Sequence, residues 1–322
     1  MKIKSPLKDL TLIQIINRFD TDDKARKHLE KMIWKGGIVC PKCKCSDQTK
    51  FSDIKPNAAT KTRAGLRWCA NCKDKFTVTI GTIFEDSHIP LRKWLIAWYM
   101  ICSSKKGISS LQLQRNLELG SYRTALFMAH RIRYALKDSI FTDKLRGTVE
   151  ADEGFIGGVP DKNDKRNELS GYRSNSNKIA VMALVERGGR VRSQVISSVN
   201  GQNLKQAIRE NVERSSELHT DQNPAYTGLK FEYEHQSVKH RANEFSRREN
   251  GKLISTTSVE SFFSLLKRGV IGTFHHISAK HLPLYLAEFD HRHNCRKITD
   301  GERTDIGLQK VIGKRLIYET AI

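Results

Sequence analysis

The chain alternates between stretches with a helical hydrophobic period and stretches with a strand-like one. Apolar residues recur every three to four positions over residues 5–35 and again from residue 91 to about residue 144, which predicts helices in both stretches. Between them, residues 36–80 hold glycines, cysteines and short alternating runs such as FTVTI. That pattern is typical of a small, loop-rich β unit.

After Gly147 the pattern changes to apolar strands interrupted by helices. The run at 178–199 is apolar on both sides of Gly188 and Gly189, which predicts a β-hairpin. A helix is predicted at 203–214, then a strand that leads into LHTDQNPAY, then helices from Ser258 and from Ser278. Strands and helices in this order predict an α/β domain.

These changes of pattern divide the 322 residues into five parts. We expect an N-terminal helical segment at 1–35, the β unit at 36–80, a helical region at 88–144, an α/β domain at 146–300 and a C-terminal tail at 301–322. A chain of this length commonly holds two or three domains.

Basic residues outnumber acidic ones by 56 to 35, a net charge of +21, and the excess is uneven. Residues 1–145 hold 28 basic and 13 acidic residues (+15), whereas residues 146–322 hold 28 and 22 (+6). A basic surface indicates a polyanionic partner, usually nucleic acid, because each phosphate that it neutralises releases a counterion. A basic protein without such a partner is the alternative on charge alone.

The sequence contains neither a candidate membrane span nor a secretory signal. The longest apolar run, WLIAWYMIC, has nine residues, whereas a membrane helix needs about 20. The N-terminus MKIKSPLKDL has no apolar core. We therefore expect a cytoplasmic protein without a membrane partner, in which cysteines remain reduced.

Two CxxC motifs, CPKC at 40–43 and CANC at 69–72, bracket most of the β unit. Each such turn presents two thiolates at the separation that zinc requires, and two turns complete a tetrahedral site. A redox-active dithiol is the alternative, but that motif belongs to a thioredoxin-like βαβ unit, which is absent from this pattern. Cys45 could compete with Cys43, although Cys43 keeps the CxxC spacing. The sequence thus predicts a structural Zn²⁺ bound by Cys40, Cys43, Cys69 and Cys72.

Residues 108–117 and 122–137 form two helical patterns around the short segment ELGS. A short turn with glycine, followed by a serine that can begin a helix, is typical of a helix–turn–helix. An ordinary helical hairpin with solvated charges is the alternative. Because this half of the chain is strongly basic, we expect the second helix to contact DNA through its basic side chains, which are Arg123, Arg131, Arg133 and Lys137.

Three carboxylates of the α/β domain lie where a shared metal site could form. In the strand VEADE, alternation places the first glutamate and Asp152 on one face and the last glutamate on the other. Asp221 ends another predicted strand, and Glu260 lies in a predicted helix, with Lys267 two turns later on the same face. Two divalent ions need several carboxylates, and such ions assist phosphoryl transfer. Each of these side chains could instead be an ordinary solvated surface group.

The chain also contains, in order, the motifs CPKC…CANC, GTIFEDSHIPLRKWLIAWYM, SSKKGISSLQL, VEADEGFIGG, HTDQNPAY, SVESFFSLLKRGV and FHHISAKHLPLYLAEFDHRHNCRK. Together they closely resemble the zinc-ribbon-bearing, ISXO-like subgroup of bacterial DDE insertion-sequence transposases. The resemblance runs from about residue 25 to residue 297, which is nearly the whole chain.

This resemblance implies a multidomain α/β protein in which an N-terminal zinc ribbon and helix–turn–helix precede an RNase H-like α/β catalytic domain. The implied activity is transposition: binding to the terminal inverted repeats of an insertion sequence, followed by metal-dependent DNA strand cleavage and strand transfer. Carried over by motif, the catalytic residues are Asp152, Asp221, Glu260 and Lys267. The three acids would bind Mg²⁺, which we interpret as two ions.

The implied partner is double-stranded DNA, both at the transposon ends and at the target. We expect a homo-oligomer on DNA, acting in the cytoplasm at the nucleoid. Two positions depart from the family's pattern: Thr257 stands where relatives often carry asparagine, and Lys44 stands where relatives commonly carry glycine. Two other functions stay open at this point. A zinc-ribbon regulator would bind DNA without cutting it, and an RNase H-like nuclease would hydrolyse DNA without strand transfer.

Overall fold

The chain forms two compact units, and the first of them contains both ends of the sequence. Unit 1 comprises Met1–Lys137 and Arg296–Ile322, and unit 2 comprises Asp138–Cys295. The structure, a computed structural model, describes residues 5–137, 143–157, 178–239 and 246–317. No helix in those ranges combines the length and the apolar character that a membrane crossing requires.

The described part of unit 1 is mainly helical. Its helices include α1 (Leu12–Arg18), α2 (Asp22–Ile33), α3 (Leu91–Ser103), α4 (Ser110–Asn116) and α5 (Tyr122–Leu136). Helices α1 and α2 follow Thr11 and Thr21, whose hydroxyl oxygens accept hydrogen bonds from backbone N–H groups of the first turn. Such side-chain caps are a common way to begin a helix. Helix α3 buries Trp94 and Trp98 in the core of this unit.

Helices α4 and α5 are joined by a tight turn at residues 117–121, where the sequence predicts one. Glu118 has a φ of 50°, a left-handed conformation that reverses the chain sharply. Each of the two helices is capped by a serine. Ser109 Oγ accepts a hydrogen bond from Gln112 N at 3.1 Å, and Ser121 Oγ accepts one from Thr124 N at 3.1 Å. The two predicted helices and the turn between them are therefore present, with a serine cap at the start of each helix.

The β unit forms a three-stranded antiparallel sheet in the order β1-β2-β3. Its strands are β1 (Phe51–Asp53), β2 (Arg67–Cys69) and β3 (Asp74–Phe76). Phe76 is fully buried beneath it, with its ring edge-on to those of Trp34 and Phe51 at centroid distances of 6.1 and 5.8 Å. Because strands of three residues bury little apolar surface, this sheet needs a further source of stability.

The segment at 301–322, expected to be a tail, contains most of a helix, α9 (Asp300–Leu308), that belongs to unit 1. Its fully buried Asp305 accepts hydrogen bonds from Ser5 Oγ at 2.5 Å and from Leu7 N at 3.1 Å, and lies 3.1 Å from His28 Nε2. A buried carboxylate requires such partners, so these bonds tie the end of the chain to its beginning.

Unit 2 is built on a mixed five-stranded sheet in the order β6-β5-β4-β7-β8. The strands are β4 (Thr148–Ile156), β5 (Ile179–Glu186), β6 (Val191–Val195), β7 (Glu217–Asp221) and β8 (Glu234–Val238). Strands β4, β5 and β6 form an antiparallel meander, whereas β7 and β8 run parallel to β4. The central strand of this sheet is thus β4, the strand that contains Asp152.

Helices cover both faces of this sheet. The other elements include α6 (Gly201–Asn211), the hairpin β9 (Ser246–Glu249) and β10 (Lys252–Ser255), α7 (Thr257–Gly269) and α8 (Leu282–Asn294). Apolar residues of α6 pack in one core with Val149 and Ala151, and those of α7 and α8 pack in a second core with Val181 and Ala183. The predicted multidomain α/β fold, with an N-terminal zinc ribbon ahead of an α/β domain, is confirmed.

Candidate functional site

The thiols of Cys40, Cys43, Cys69 and Cys72 meet in one cluster, with all four sulfur atoms within 4.8 Å of one another. The Cys40 and Cys72 sulfurs are 3.8 Å apart, and those of Cys43 and Cys69 are 3.7 Å apart. Zinc–sulfur bonds of about 2.3 Å in a tetrahedron place neighbouring sulfurs about 3.8 Å apart. The cluster therefore fits a structural Zn²⁺, as the sequence predicts.

Each CxxC turn is followed by a lysine in the left-handed conformation. These residues, Lys44 and Lys73, have φ values of 61° and 54°. In the first turn, Lys44 N donates to Cys40 O at 3.0 Å, and Cys40 N donates to Cys45 O at 2.9 Å. Cys45 therefore contributes its backbone to the turn, while its thiol lies outside the four-sulfur cluster.

One amide side chain supports the zinc ligands. Asn71 Nδ2 donates to Cys43 Sγ at 3.4 Å, and this hydrogen bond is the main reason that the pKa of the Cys43 thiol falls to about 6. A thiol with a lowered pKa is readily present as the thiolate that binds metal. Asn71 is thus a supporting residue that the CxxC spacing alone did not identify.

The fold brings the three predicted carboxylates of unit 2 to one region. The parallel register pairs Glu150 of β4 with His219 of β7, so two residues further on, Asp152 lies beside Asp221. Glu260 lies in the first turn of α7. Burial raises the pKa of Asp152 to about 7, and the nearby carboxylates of Glu153, Asp221 and Glu260 contribute to that rise.

Each carboxylate has a local hydrogen-bond donor. Asp152 Oδ1 accepts from Glu153 N at 2.8 Å, Asp221 Oδ1 accepts from Asn223 N at 2.9 Å, and Glu260 Oε1 accepts from Thr256 Oγ1 at 2.8 Å. Among the described residues, the four cysteines form the metal-ligand set whose atoms all lie within 4.8 Å, and the three acids are spaced more widely. A cluster of partly buried like charges is the electrostatic situation that a divalent cation relieves.

Glu153 points to the opposite face of the sheet, as strand alternation predicts. It accepts hydrogen bonds from the Asn223 side chain and the Tyr226 hydroxyl, and burial raises its pKa. The segment that follows Asp221 is thereby bonded to the strand that contains Asp152. The motif HTDQNPAY contains both donors, but the sequence pattern gave no reason to connect them with Glu153.

Lys267 lies two turns after Glu260 on α7 and is exposed, with its Nζ 5.9 Å from the centre of the Phe263 ring. Thr257 is the first residue of α7 and is also exposed. Both side chains are therefore accessible to a ligand that approaches this helix.

The four basic residues expected to contact DNA divide into two pairs. Arg123 and Lys137 are exposed on α5 and at its end, whereas Arg131 and Arg133 are buried. The DNA contacts predicted for Arg131 and Arg133 are corrected accordingly, because these residues are only 4% and 0% exposed and too buried to bind a phosphate. Nearly every position of the last two turns of α5 is buried, so this helix has no open face there.

Arg131 has a clear packing role. Its guanidinium lies 5.4 Å from the centre of the Trp94 ring and 5.2 Å from that of Phe127, and its Nη2 donates to Glu85 O at 2.6 Å. Burial lowers the pKa of Arg131 to about 10. These contacts indicate that Arg131 stabilises unit 1 itself.

Comparison with known proteins gives matches to both parts of the chain. A family model of the ISXO2-like transposase domain matches residues 144–294, and a model of the transposase zinc-ribbon domain matches residues 20–75. The first match contains all three carboxylates and the second contains all four clustered cysteines. A protein of Halobacterium salinarum, described as an uncharacterized protein in transposable element ISH50, is 25% identical over an alignment of 291 residues that covers 86% of this chain and 92% of that protein.

Among solved structures, one chain of the simian T-cell lymphotropic virus intasome in complex with PP2A regulatory subunit B56 gamma aligns with a TM-score of 0.26 and 15% identity. The alignment covers 55% of this chain and 63% of that chain, and a TM-score at this level does not establish a common fold. The two domain matches stand in the order that the fold shows, and the transposable-element relative aligns with most of the chain. The chain is thus similar, over residues 20–75 and 144–294, to the transposase zinc-ribbon domain and to the ISXO2-like transposase domain, and over most of its length to a protein of a transposable element.

Proposed function

We propose that this protein is a transposase that binds the terminal inverted repeats of an insertion sequence and catalyses metal-dependent strand cleavage and strand transfer. The observation that carries the proposal is the position of Asp152, half-buried in the central strand beside the carboxylates of Asp221 and Glu260. All three lie inside the matched transposase domain. A carboxyl group whose pKa is raised by burial and by neighbouring carboxylates, as for Asp152, is characteristic of functional sites.

In this proposal, Asp152, Asp221 and Glu260 hold Mg²⁺, which we take to be two ions. When bound, such ions activate a nucleophile and stabilise a leaving oxygen in phosphoryl transfer. The chain's own contribution is to fix the three acids on rigid elements, two strands and a helix, so that their relative positions vary little. Exposed Lys267 would contact a phosphate of the bound DNA from the same helix as Glu260.

The proposed reaction has two steps. Water attacks the phosphorus at the transposon end, and the broken phosphodiester releases a 3′-hydroxyl. That hydroxyl then attacks a phosphodiester of target DNA, which joins the transposon strand to the target and releases the target's own 3′-hydroxyl. Both steps displace one oxygen from phosphorus by another, so one set of carboxylates can serve both.

Unit 1 would bind the DNA. Its sequence contributes most of the excess positive charge, and it contains both the zinc ribbon and the helix–turn–helix. We assign the DNA contacts of α5 to its exposed basic residues Arg123 and Lys137. We further propose that the protein acts as a homo-oligomer on DNA in the cytoplasm, at the nucleoid.

The test is a cleavage and strand-transfer assay with a labelled terminal-repeat duplex, Mg²⁺ and a target plasmid. Asp152→Asn, Asp221→Asn and Glu260→Gln keep the shape of each side chain and remove its charge, so each should abolish both products while leaving binding to the repeat nearly unchanged. Lys267→Ala should lower the rate without abolishing it.

Other outcomes would favour the other functions. Wild-type protein that binds the repeat tightly but yields no product with Mg²⁺ or Mn²⁺ would favour a DNA-binding regulator. Protein that releases the 3′-hydroxyl but never joins it to the plasmid would favour a nuclease that only hydrolyses.

A further inference from the structure

Fully buried Glu150 forms an ion pair with Arg187, whose side chain is 30% exposed, next to the carboxylate site. It lies two residues before Asp152 on the same face of β4 and is fully buried. Its Oε1 accepts hydrogen bonds from Arg187 Nη2 at 2.9 Å and from Arg187 Nε at 3.0 Å. Arg187 stands 37 residues later in sequence, just after β5.

The same carboxylate caps the helix that contains Glu260. Glu150 Oε2 accepts from Ser258 N at 2.6 Å and from Val259 N at 3.2 Å, which are backbone groups of the first turn of α7. Such groups have no partner within a helix, and a negative charge at this end is stabilised by the helix dipole. The capping function therefore comes from another element of the fold.

The residue at the usual capping position, Thr256, bonds to a side chain rather than to the helix backbone. Thr256 precedes α7, and in the described structure its side chain makes no capping bond to the helix backbone. Its hydroxyl donates instead to Glu260 Oε1 at 2.8 Å. Because Glu150 satisfies the helix N-terminus, the hydroxyl of Thr256 is able to hold the carboxylate of Glu260.

Arg187 connects this cap to β7, the strand that contains Asp221. Its Nη2 donates to His219 Nδ1 at 3.1 Å, and His219 lies two residues before Asp221 on β7. The same guanidinium donates to Leu253 O at 2.7 Å and to Ser255 O at 3.2 Å, which places it against β10 just ahead of α7. One side chain thus joins elements that are distant in sequence.

We propose that the Glu150–Arg187 pair is a positioning device that sets the separation of Asp152, Asp221 and Glu260. The bonded residues Glu150, His219 and Ser258 each lie two positions before one of these acids, so a displacement of any of them moves an acid with it. This inference rests on the proposed catalytic role of the three acids.

The energetics favour positioning over stabilisation as the reason for this pair. Taking the charge of Glu150 out of water costs nearly as much as its attraction to Arg187 returns, so the pair contributes little to folding compared with apolar residues of the same size. Its geometry, in contrast, is restrictive, because the planar guanidinium and the carboxylate accept only a narrow range of orientations. A pair of this kind suits a site that needs fixed distances.

The experiment compares Glu150→Gln with the break of an ion pair elsewhere in unit 2 whose acidic partner is equally buried. Arg292 and Glu288 form such a pair within α8, and both are buried, so Glu288→Gln serves as the control. For zinc-loaded full-length protein, we would measure the thermal midpoint, Mn²⁺ binding by calorimetry, and strand cleavage. Both variants should lose thermal stability. Only Glu150→Gln should weaken Mn²⁺ binding and cleavage, by about 10- to 100-fold, the usual effect of removing a residue that orients metal ligands.

Arg187→Lys provides a milder second variant if Glu150→Gln does not fold. Lysine keeps the charge but cannot bond to Glu150, His219 and Ser255 together, so Mn²⁺ affinity should fall while the thermal midpoint changes little. Equal Mn²⁺ affinity in wild type, Arg187→Lys and any folded Glu150→Gln protein would overturn the positioning role. Unchanged cleavage by Asp152→Asn would instead overturn the proposed function on which the inference rests.

Discussion

Gly154 of the central strand is in such close contact with Phe263 of α7 that a side chain at position 154 would collide with the Phe263 ring. A Cβ atom added to Gly154 would lie 2.6 Å from Phe263 Cε1, well inside van der Waals distance. Gly154 lies two residues after Asp152, and Phe263 lies one turn after Glu260. The spacing between strand and helix is therefore set at this contact, directly beside the carboxylates.

Gly154→Ala should impair cleavage more than it impairs folding. The added methyl forces α7 away from β4, and overpacking of this kind costs about 1–3 kcal/mol. A displacement of about 1 Å can reduce the rate of a reaction 100-fold, so we expect a fall of that order in strand cleavage with binding to the terminal repeat retained. Gly272→Ala is the control, since nothing lies within 4 Å of the methyl it would add. Equal cleavage by the two variants would contradict this account.

Zinc content should follow the four-sulfur cluster. We expect about one Zn²⁺ per chain by elemental analysis and none in the Cys69→Ser/Cys72→Ser double variant, since two ligands cannot hold the ion. Because the small sheet depends on zinc for stability, residues 36–80 should then become sensitive to protease. Cys45→Ser is the matched control and should keep its zinc. Full occupancy in the double variant would refute the assignment of ligands.

The left-handed residues of the two CxxC turns should tolerate glycine. Lys44 and Lys73 adopt a backbone conformation that costs other residues about 1–2 kcal/mol and glycine almost nothing. Part of that gain is offset by the greater freedom of glycine in the unfolded chain, so Lys44→Gly should stabilise the ribbon by roughly 0.5–1 kcal/mol. The rate at which a chelator removes zinc would measure the stabilisation, and it should be lower for Lys44→Gly than for wild type. Lys75→Gly, in strand β3, should have the opposite effect.

Local motifs predicted the zinc ligands well, because a CxxC turn brings its own two thiols together. The two strands and the helix that contain Asp152, Asp221 and Glu260 were also predictable, since the spacing of apolar residues distinguishes strands from helices. The contacts of Arg187 were not, because they join segments that only the folded sheet places side by side. The burial of Arg131 and Arg133 was missed for a related reason. Helical period identifies one apolar face, but neighbouring elements enclose α5 on other sides as well.

The salt dependence of DNA binding should separate exposed from buried arginines. Arg123→Ala removes one exposed charge, so the slope of log K against log salt should decrease by about 0.9 if that residue neutralises one phosphate. Arg133→Ala should lower the thermal midpoint, because it empties a buried position, but a folded variant should keep the wild-type slope. Fluorescence anisotropy with a labelled terminal repeat, at salt concentrations from about 50 to about 200 mM, would measure the slope for each variant. An unchanged slope for Arg123→Ala would exclude that contact.

The raised pKa of Asp152 has a consequence for stability that can be measured without any DNA. In the folded protein this carboxyl has a pKa of about 7, above its ordinary value of 3.8, so the folded state retains a proton that the unfolded chain has already lost. Stability should therefore fall as the pH rises from about 4 through about 7. The stability that the retained proton contributes is fully present below the ordinary pKa of the carboxyl and is lost above the pKa of the folded state.

Asp152→Asn should accordingly be more stable than wild type at pH 8 in the absence of Mg²⁺, and the advantage should shrink toward pH 4. Each pKa unit corresponds to about 1.4 kcal/mol, so the difference at pH 8 should reach a few kcal/mol. Thermal denaturation of zinc-loaded protein, dialysed free of Mg²⁺ without a chelator that removes zinc, would measure it. Added Mg²⁺ should raise the midpoint of wild type and not that of Asp152→Asn, because a divalent ion relieves the repulsion that the substitution has already removed. Glu210→Gln, at an exposed carboxylate of the same unit, should show neither effect. A wild-type midpoint that is the same with and without Mg²⁺ at pH 8 would mean that these acids do not bind the ion.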